Sequence, residues 1–233
     1  MAKKKQVILV ISDLHEPYSH PDTLAFLKAC KKKFKPTQVV LSGDEVDSHA
    51  ISFHDSDPNL PSAGDELKLA IQKLKPLYKL FPKATILESN HGSLIYRKAL
   101  SNGLPKEYFK DYNDILQAPK SWVWVNDLTL NTPQGKVYFH HSRGKAIKTA
   151  QTYGMSHVCG HHHESFDVQY WSTPEKLMFG MTVGCLVDRK SLALAYNKIN
   201  LKRPILGLGV IVEGVPQLVP MLLNEKGRWV GKL

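Results

Sequence analysis

Residues 7–15 read VILVISDLH, an apolar run that ends in an aspartate and a histidine. Because the run has no polar face, it predicts a buried strand over residues 6–12. Asp13 and His15 stand where this strand ends, and the strand ends of open α/β folds are where functional sites gather. The stretch therefore predicts a strand of the core together with the first part of a site.

Four further segments repeat this pattern of an apolar run followed by polar residues. They are GDEVD at 43–47, NH at 90–91, HH at 140–141 and GHHH at 160–163. Each brings carboxylate, amide or imidazole groups to the end of a predicted strand. Side chains from five strands can converge at one sheet edge although they lie far apart in sequence. This convergence predicts a metal-dependent hydrolase.

The donor atoms in these segments indicate the kind of metal. Asp13 and His15 are one residue apart and can turn toward one ion, and His161 and His163 can face the same cleft. Asp44 follows a glycine, which permits a close backbone approach, and its two oxygens make it the candidate to bridge two cations. The asparagine of the NH segment adds a carbonyl oxygen. This mixture favours Mn, Fe, Zn or Ni over Ca or Mg.

The composition is that of an ordinary globular chain. Its 233 residues are 42% hydrophobic and 22% charged, which suits one domain over residues 1–233. No apolar run approaches the roughly 18 residues that span a bilayer, and no cleavage site follows the first apolar run. We therefore predict neither a membrane segment nor a signal peptide. Three scattered cysteines fit a reducing compartment, so we expect a cytoplasmic location.

The net charge of +10 favours an anionic partner, such as a nucleotide, another phosphate or nucleic acid. Part of this charge lies in a lysine cluster over residues 28–35. Lysines at a helix C-terminus also suit the helix dipole without any partner. The charge alone therefore does not choose among these partners, and the sequence gives no indication of the oligomeric state.

Apolar periodicity and turn residues divide the chain into alternating strands and helices, followed by a β-rich end. Residues 122–125 and 128–130 flank an Asn-Asp pair at 126–127, which is typical of a hairpin turn. This order predicts a sandwich of sheets flanked by helices. The other predicted strands cover 6–12, 38–42, 84–88, 137–139, 156–159, 166–171, 177–183, 207–212, 217–223 and 228–230, and the predicted helices cover 21–34, 65–80, 94–117 (as two short helices) and 145–153.

The order D-x-H, G-D-x-x-D, N-H, H and G-H-x-H resembles the calcineurin-like metallophosphoesterase superfamily over residues 6–187. The short segments and the small size look most like the small bacterial and phage members. The resemblance implies an α/β fold, namely a four-layer α/β/β/α sandwich of two mixed sheets flanked by helices. It also implies two divalent transition-metal ions, with Mn first and Fe, Zn, Ni or Co as alternatives.

The resemblance further implies a role for each site residue. His91 is the implied general acid and Asp47 the residue that orients it, while a hydroxide that bridges the ions attacks phosphorus. Because a neighbouring carboxylate raises the pKa of a histidine, we expect Asp47 to keep the His91 ring protonated. One ion is implied to be bound by Asp13, His15, Asp44 and His163, and the other by Asp44, Asn90, His161 and one histidine of the 140–141 pair.

The chain departs from the family pattern at several positions. Ser89 replaces the usual glycine before Asn-His, and Gly92 replaces the usual acidic residue after it. The family's His-Gly segment reads His-Ser here, so the ligand is either His140 or His141. We favour His141 because it directly precedes the small residue. His162 replaces the usual threonine and either points into solvent or contacts the substrate.

Three functions are consistent with these residues. The first is a phosphoesterase acting on a nucleotide or another small phosphomonoester, with Arg97, Arg143 and His162 as candidate substrate-binding residues. The second is a phosphodiesterase or nuclease, because basic side chains and the tryptophans of residues 122–125 suit a nucleic-acid backbone and its bases. The third is a scaffold that has lost catalysis, and the implied acid dyad argues against it.

Overall fold

Helices separate the strands up to residue 115, and three strands then follow one another over residues 122–139. One more helix precedes the strand that ends at residue 159, and the described remainder contains strands and no further helix. The computed structural model describes residues 5–53, 58–191 and 203–233. The strands are β1 (Val7–Ile11), β2 (Gln38–Leu41), β3 (Ala84–Leu87), β4 (Trp122–Val125), β5 (Leu128–Thr132), β6 (Gly135–Phe139), β7 (Ser156–Cys159), β8 (Phe166–Ser172), β9 (Leu177–Val183), β10 (Gly207–Val212) and β11 (Val215–Pro220). The helices are α1 (Thr23–Phe34), α2 (Ala63–Leu80), α3 (Leu94–Ser101), α4 (Tyr112–Ile115) and α5 (Ala146–Tyr153), with 3₁₀ turns at His49–Ile51 and Lys106–Tyr108.

Two sheets form the centre of the fold. The first has the strand order β11-β10-β1-β2-β3-β4, in which β1 to β4 are parallel and β10 is antiparallel to β1. The second has the order β5-β6-β7-β9-β8, in which β6, β7 and β9 are parallel and both edge strands are antiparallel to their neighbours. Both sheets are therefore mixed.

Strand β1 is buried on both of its faces. Val7, Leu9 and Ile11 pack into the apolar core between the first sheet and helices α1 and α2. Ile8 and Val10 pack into the core between the two sheets, because successive side chains of a strand point to opposite faces. A strand in this position needs an apolar residue at every place, which explains the unbroken run in the sequence.

The helices cover the outer faces of both sheets. Helices α1 and α2 each bury one apolar face against the first sheet, and α5 packs on β7 and β9 of the second. Gly180 permits this close packing, because a Cβ there would lie 2.3 Å from the backbone nitrogen of Ile147. No helix in the described ranges is long and apolar enough to cross a membrane. The layers are thus helix, sheet, sheet and helix, and the expected four-layer α/β sandwich is confirmed.

Two predictions about strands were wrong. Trp122–Val125 and Leu128–Thr132 form no hairpin, because β4 pairs with β3 in the first sheet and β5 pairs with β6 in the second. The turn at residues 126–127 carries the chain from one sheet to the other. Residues 228–230 form no strand and make one isolated bridge with Leu223.

Candidate metal centre

The polar segments meet at one edge of the two sheets. Strands β1, β2 and β3 are parallel in the first sheet, and β6 and β7 are parallel in the second. Parallel strands bring the loops after their carboxyl ends to a common edge. The side chains expected to bind metal lie in one cluster there: Asp13, His15, Asp44, Asn90, His141, His161 and His163.

The first half of the cluster consists of Asp13, His15 and His163. The Nε2 atom of His163 lies 3.0 Å from Asp13 Oδ1 and 3.1 Å from His15 Nε2. His15 Nε2 lies 3.7 Å from the same Asp13 oxygen. Three donor atoms from two distant loops therefore surround one point.

The second half consists of Asn90, His141 and His161, and Asp44 joins the two halves. Asn90 Oδ1 lies 2.8 Å from His141 Nε2 and 3.1 Å from His161 Nδ1. Asp44 Oδ2 lies 3.1 Å from His141 Nε2 and 3.7 Å from His15 Nε2. One carboxylate thus faces a histidine of each half.

This donor set fits a pair of metal ions. Bonds of about 2.1 Å to a common ion place neighbouring donor atoms about 3 Å apart, and the distances in the cluster are 2.8–3.7 Å. Carboxylate, amide and imidazole donors together suit transition metals. The His15 and His163 Nε2 atoms, 3.1 Å apart, need a proton or a cation between them.

Two of the candidate ligand histidines are held from the side that faces away from the cluster. His15 Nδ1 donates to Asp47 Oδ1 at 2.5 Å, and His141 Nδ1 donates to the Ser42 carbonyl at 2.6 Å. These partners direct both Nε2 atoms at the cluster, as the supporting partners of metal-binding histidines do. The sequence could not indicate the role of Ser42, because every residue has a main-chain carbonyl whatever its side chain.

The backbone is strained at three of the candidate ligands. Asp13, Asp44 and His161 have φ angles of +50°, +50° and +66°, in a region that costs a residue other than glycine about 1–3 kcal/mol. Gly43 also has a positive φ, and a Cβ there would lie 2.6 Å from Ser89 Cβ. Ser89 Oγ in turn accepts a hydrogen bond from the Asp44 backbone at 3.0 Å. Such strain is typical of functional sites.

Buried charges in the cluster balance one another. Burial would raise the pKa of Asp13, but hydrogen bonds from His15 and His163 hold it well below its usual value. Burial would lower the pKa of His141, but the adjacent Asp44 raises it to about 9. Neighbouring carboxylates likewise raise the pKa of His15 against the effect of burial. In the metal-free protein, protons on His15 and His141 therefore offset the charge of the neighbouring carboxylates.

His91 lies beside the cluster and is held differently from the sequence-based expectation. Its Nδ1 donates to the Asp47 backbone carbonyl, whereas the Asp47 carboxylate, 3.5 Å away, accepts the hydrogen bond from His15. Burial and the neighbouring His15 lower the pKa of His91 and outweigh the expected rise caused by Asp47. The His91 side chain is 23% exposed, so part of the ring reaches solvent.

The two candidate arginines line an open cleft over the second half of the cluster. Arg97 donates to the Asn90 carbonyl at 2.6 Å, and Arg143 Nη1 donates to the Tyr153 hydroxyl at 3.4 Å. Both side chains are exposed at the mouth of the cleft. His162 does not line this cleft, and its buried Nε2 has no hydrogen-bond partner among the residues described. The structure therefore does not place His162 Nε2 in solvent.

The two adjacent histidines of the 140–141 pair have different surroundings, which yields a prediction. His141 is 2% exposed and points into the cluster, whereas His140 Nδ1 accepts a hydrogen bond from the Ser142 backbone. We expect His141→Ala to lose at least one ion and His140→Ala to keep both. Elemental analysis of the two purified variants measures this difference. A greater loss in His140→Ala would overturn the choice of His141.

Comparison with protein families agrees with the motifs. The family model described as calcineurin-like phosphoesterase matches residues 7–171, and comparison with curated proteins gave no match. Similar solved structures include a novel archaeal phosphodiesterase (12% identity, 92% of this chain and 99% of that chain, TM-score 0.48), the phosphoesterase Yfce from E. coli (12%, 97% and 97%, 0.48) and Vps29 from Chaetomium thermophilum (11%, 96% and 93%, 0.47). Because the family match spans most of the chain, the chain belongs to the calcineurin-like phosphoesterase family.

Proposed function

We propose that the protein hydrolyses a small phosphomonoester, such as a nucleotide, with two divalent transition-metal ions, of which Mn²⁺ is the first candidate. The observation that carries this proposal is the position of Asp44. Its Oδ2 lies 3.7 Å from His15 Nε2 and 3.1 Å from His141 Nε2. One carboxylate between two groups of donors is the arrangement that a two-ion centre requires.

Ions bound here would supply Lewis-acid binding of phosphate oxygens and activation of water. The residues of the chain supply the other parts of the reaction. Arg97 and Arg143 stand at the mouth of the cleft, where guanidinium groups can bind further phosphate oxygens. His91 can donate a proton from Nε2 to the departing oxygen when both of its ring nitrogens are protonated, because the Nδ1 proton is held by the Asp47 carbonyl. Since burial and His15 lower the pKa of His91, we expect this step to weaken as the pH rises. No covalent intermediate is needed, so we assign no serine or cysteine nucleophile.

Two model esters test this function. Hydrolysis of p-nitrophenyl phosphate and of bis(p-nitrophenyl) phosphate is compared with Mn²⁺ present, and EDTA serves as the control for metal dependence. We expect faster turnover of the monoester. Faster turnover of the bis ester would favour the phosphodiesterase or nuclease alternative. Turnover of neither ester with Mn²⁺, Ni²⁺ or Co²⁺ would favour the scaffold.

Metal binding should release protons, and this is a second prediction. At pH 7 the raised pKa values of His141, about 9, and of His15 keep both rings protonated in the metal-free protein. A metal ion binds the neutral ring, so its affinity should rise as the pH increases toward about 9. Calorimetric titration with Mn²⁺ in buffers of different ionisation enthalpy counts the protons. Binding without proton release at pH 7 would argue against these two ligands.

We further propose that residues 1–233 form one domain and that the protein is cytoplasmic. The family match ends at residue 171, but β10 pairs with β1 and so completes the first sheet. Cys30, Cys159 and Cys185 are all free and buried, which suits a reducing compartment.

A further inference from the structure

Ser89 lies between β3 and α3, directly before the turn that carries Asn90 and His91. Its side chain is buried, with 6% of the residue exposed. The family pattern has a glycine at this position, and a glycine offers no side-chain hydrogen-bond acceptor. The contacts of the hydroxyl show what the serine adds.

The Ser89 hydroxyl oxygen joins two loops of the cluster. It accepts one hydrogen bond from the Asp44 backbone N–H at 3.0 Å and another from the Gly92 backbone N–H at 3.1 Å. A hydroxyl oxygen has two lone pairs, so main-chain donors occupy both. Asp44 belongs to the loop after β2, and Gly92 belongs to the turn after β3. One atom therefore fixes the backbone of Asp44 relative to the turn that carries Asn90.

A further hydrogen bond joins the same two loops at the Asp44 side chain. The His91 backbone N–H donates to Asp44 Oδ1 at 3.1 Å. The other oxygen, Asp44 Oδ2, faces the Nε2 atoms of His15 and His141. The position of the Asp44 carboxylate therefore depends on the turn after β3, and Ser89 holds that turn against the Asp44 loop.

The Asp44 loop needs such support because its backbone is strained. Gly43 and Asp44 have φ angles of +92° and +50°, and a residue other than glycine keeps such a conformation only where its surroundings enforce it. A Cβ on Gly43 would lie 2.6 Å from Ser89 Cβ, so the two residues are in close contact. The missing side chain of Gly43 lets Ser89 approach the loop and bond the Asp44 N–H.

We propose that Ser89 is a positioning residue for the second half of the cluster and acts through the backbones of Asp44 and Gly92. It supplies no metal ligand. Its hydroxyl holds Asp44 and Asn90 at the separation that binding of a common ion requires. The proposal rests on the proposed function for the presence of the ions, whereas both hydrogen bonds are formed without a metal.

Zinc binding to each half, measured separately, tests this role. Metal-free wild type and Ser89→Ala are compared over a chelator-buffered series of Zn²⁺ concentrations, and the imidazole NMR signals of His163 and His161 report on the first and second halves. Ser89→Ala should need roughly tenfold more Zn²⁺ to shift the His161 signal, because partners that orient metal ligands contribute about that much to affinity. The His163 signal should change much less, because Asn90 is not in its half.

Three results of the zinc experiment would overturn the proposal. They are a wild-type response of His161 in Ser89→Ala, an equal displacement of the His161 and His163 responses, and a wild-type protein in which Zn²⁺ does not shift the His161 signal. A serine that only stabilised the fold would lower the melting temperature without separating the two halves.

Ser93→Ala is the matched control. The Ser93 hydroxyl lies in the same turn and donates to the Ser89 carbonyl at 2.7 Å, and it makes no hydrogen bond to the Asp44 loop among the residues described. Its His161 response should follow that of the wild type. A shift as large as that of Ser89→Ala would mean that stability of the turn, and not its connection to Asp44, sets the affinity, which would overturn the proposal.

Amide hydrogen exchange in the metal-free protein tests the two hydrogen bonds without any ion. The Asp44 and Gly92 amides should exchange faster in Ser89→Ala than in the wild type, because both lose their acceptor. Unchanged exchange at both amides would overturn the proposal. Turnover of p-nitrophenyl phosphate by the wild type with Mn²⁺ tests the proposed function separately, because neither zinc binding nor amide exchange depends on hydrolysis.

Discussion

Asp44→Asn is expected to remove nearly all turnover, by roughly 10³-fold. Asp44 is 1% exposed and faces His15 and His141, which belong to different halves of the cluster. Asparagine keeps the shape of the side chain but loses the negative charge and one acceptor oxygen, so at least one ion should be lost as well. Elemental analysis and nitrophenyl ester kinetics on the same preparation measure both effects.

Two further variants serve as the comparison and the control for Asp44→Asn. Asp13→Asn should leave the second half of the cluster partly filled, because the Asp13 carboxylate lies in the first half, beside His163. Asp65→Asn changes an exposed carboxylate on α2 and is the matched control, which should keep both ions and full activity. Two bound ions and normal turnover in Asp44→Asn would show that Asp44 is not the bridging ligand.

His91→Ala is expected to lower kcat for alkyl phosphates by roughly 10²–10⁴-fold while both ions stay bound. The ring is partly exposed beside Asp44, and its Nδ1 is occupied by the Asp47 carbonyl. An alkoxide leaving group needs a proton, so removing the His91 side chain should lower kcat for alkyl phosphates severely. A nitrophenolate departs well as an anion, so kcat for p-nitrophenyl phosphate should fall only slightly.

The contrast between the two substrates is what identifies a general acid. It is measured as kcat for an alkyl phosphate and for p-nitrophenyl phosphate, in the wild type and in His91→Ala. Equal losses on both substrates would mean that His91 binds phosphate instead of donating a proton. Metal analysis of the variant shows whether lost ligation accounts for the change.

The sequence predicted most strands because each is a local apolar run, and it missed the sheet assignment because pairing is not local. Trp122 decides the position of β4. Its ring packs 4.7 Å from that of Tyr78 in α2, and its Nε1 donates to the Phe81 carbonyl at 2.7 Å. These contacts bind β4 to the first sheet, so the turn that follows it crosses between sheets.

The site likewise has features that a single sequence segment predicts and features that depend on residues far apart in the sequence. The expected ligand types at strand ends were visible in the sequence and come together in the structure. The contact of the Asp47 carboxylate with His15 was not visible, because it joins loops from different strands. The lowered pKa of His91 was not visible either, because burial outweighs the two nearby carboxylates. Burial is a property of the assembled fold.

The most direct test of the two-ion centre is a titration of metal-free protein with Mn²⁺, in which p-nitrophenyl phosphate hydrolysis is followed at each addition. The cluster divides into two halves that share Asp44, so activity should rise until two equivalents of Mn²⁺ per chain are bound. Full activity before any metal is added, unaffected by EDTA, would contradict the proposed function. A plateau at one equivalent would contradict the two-ion centre.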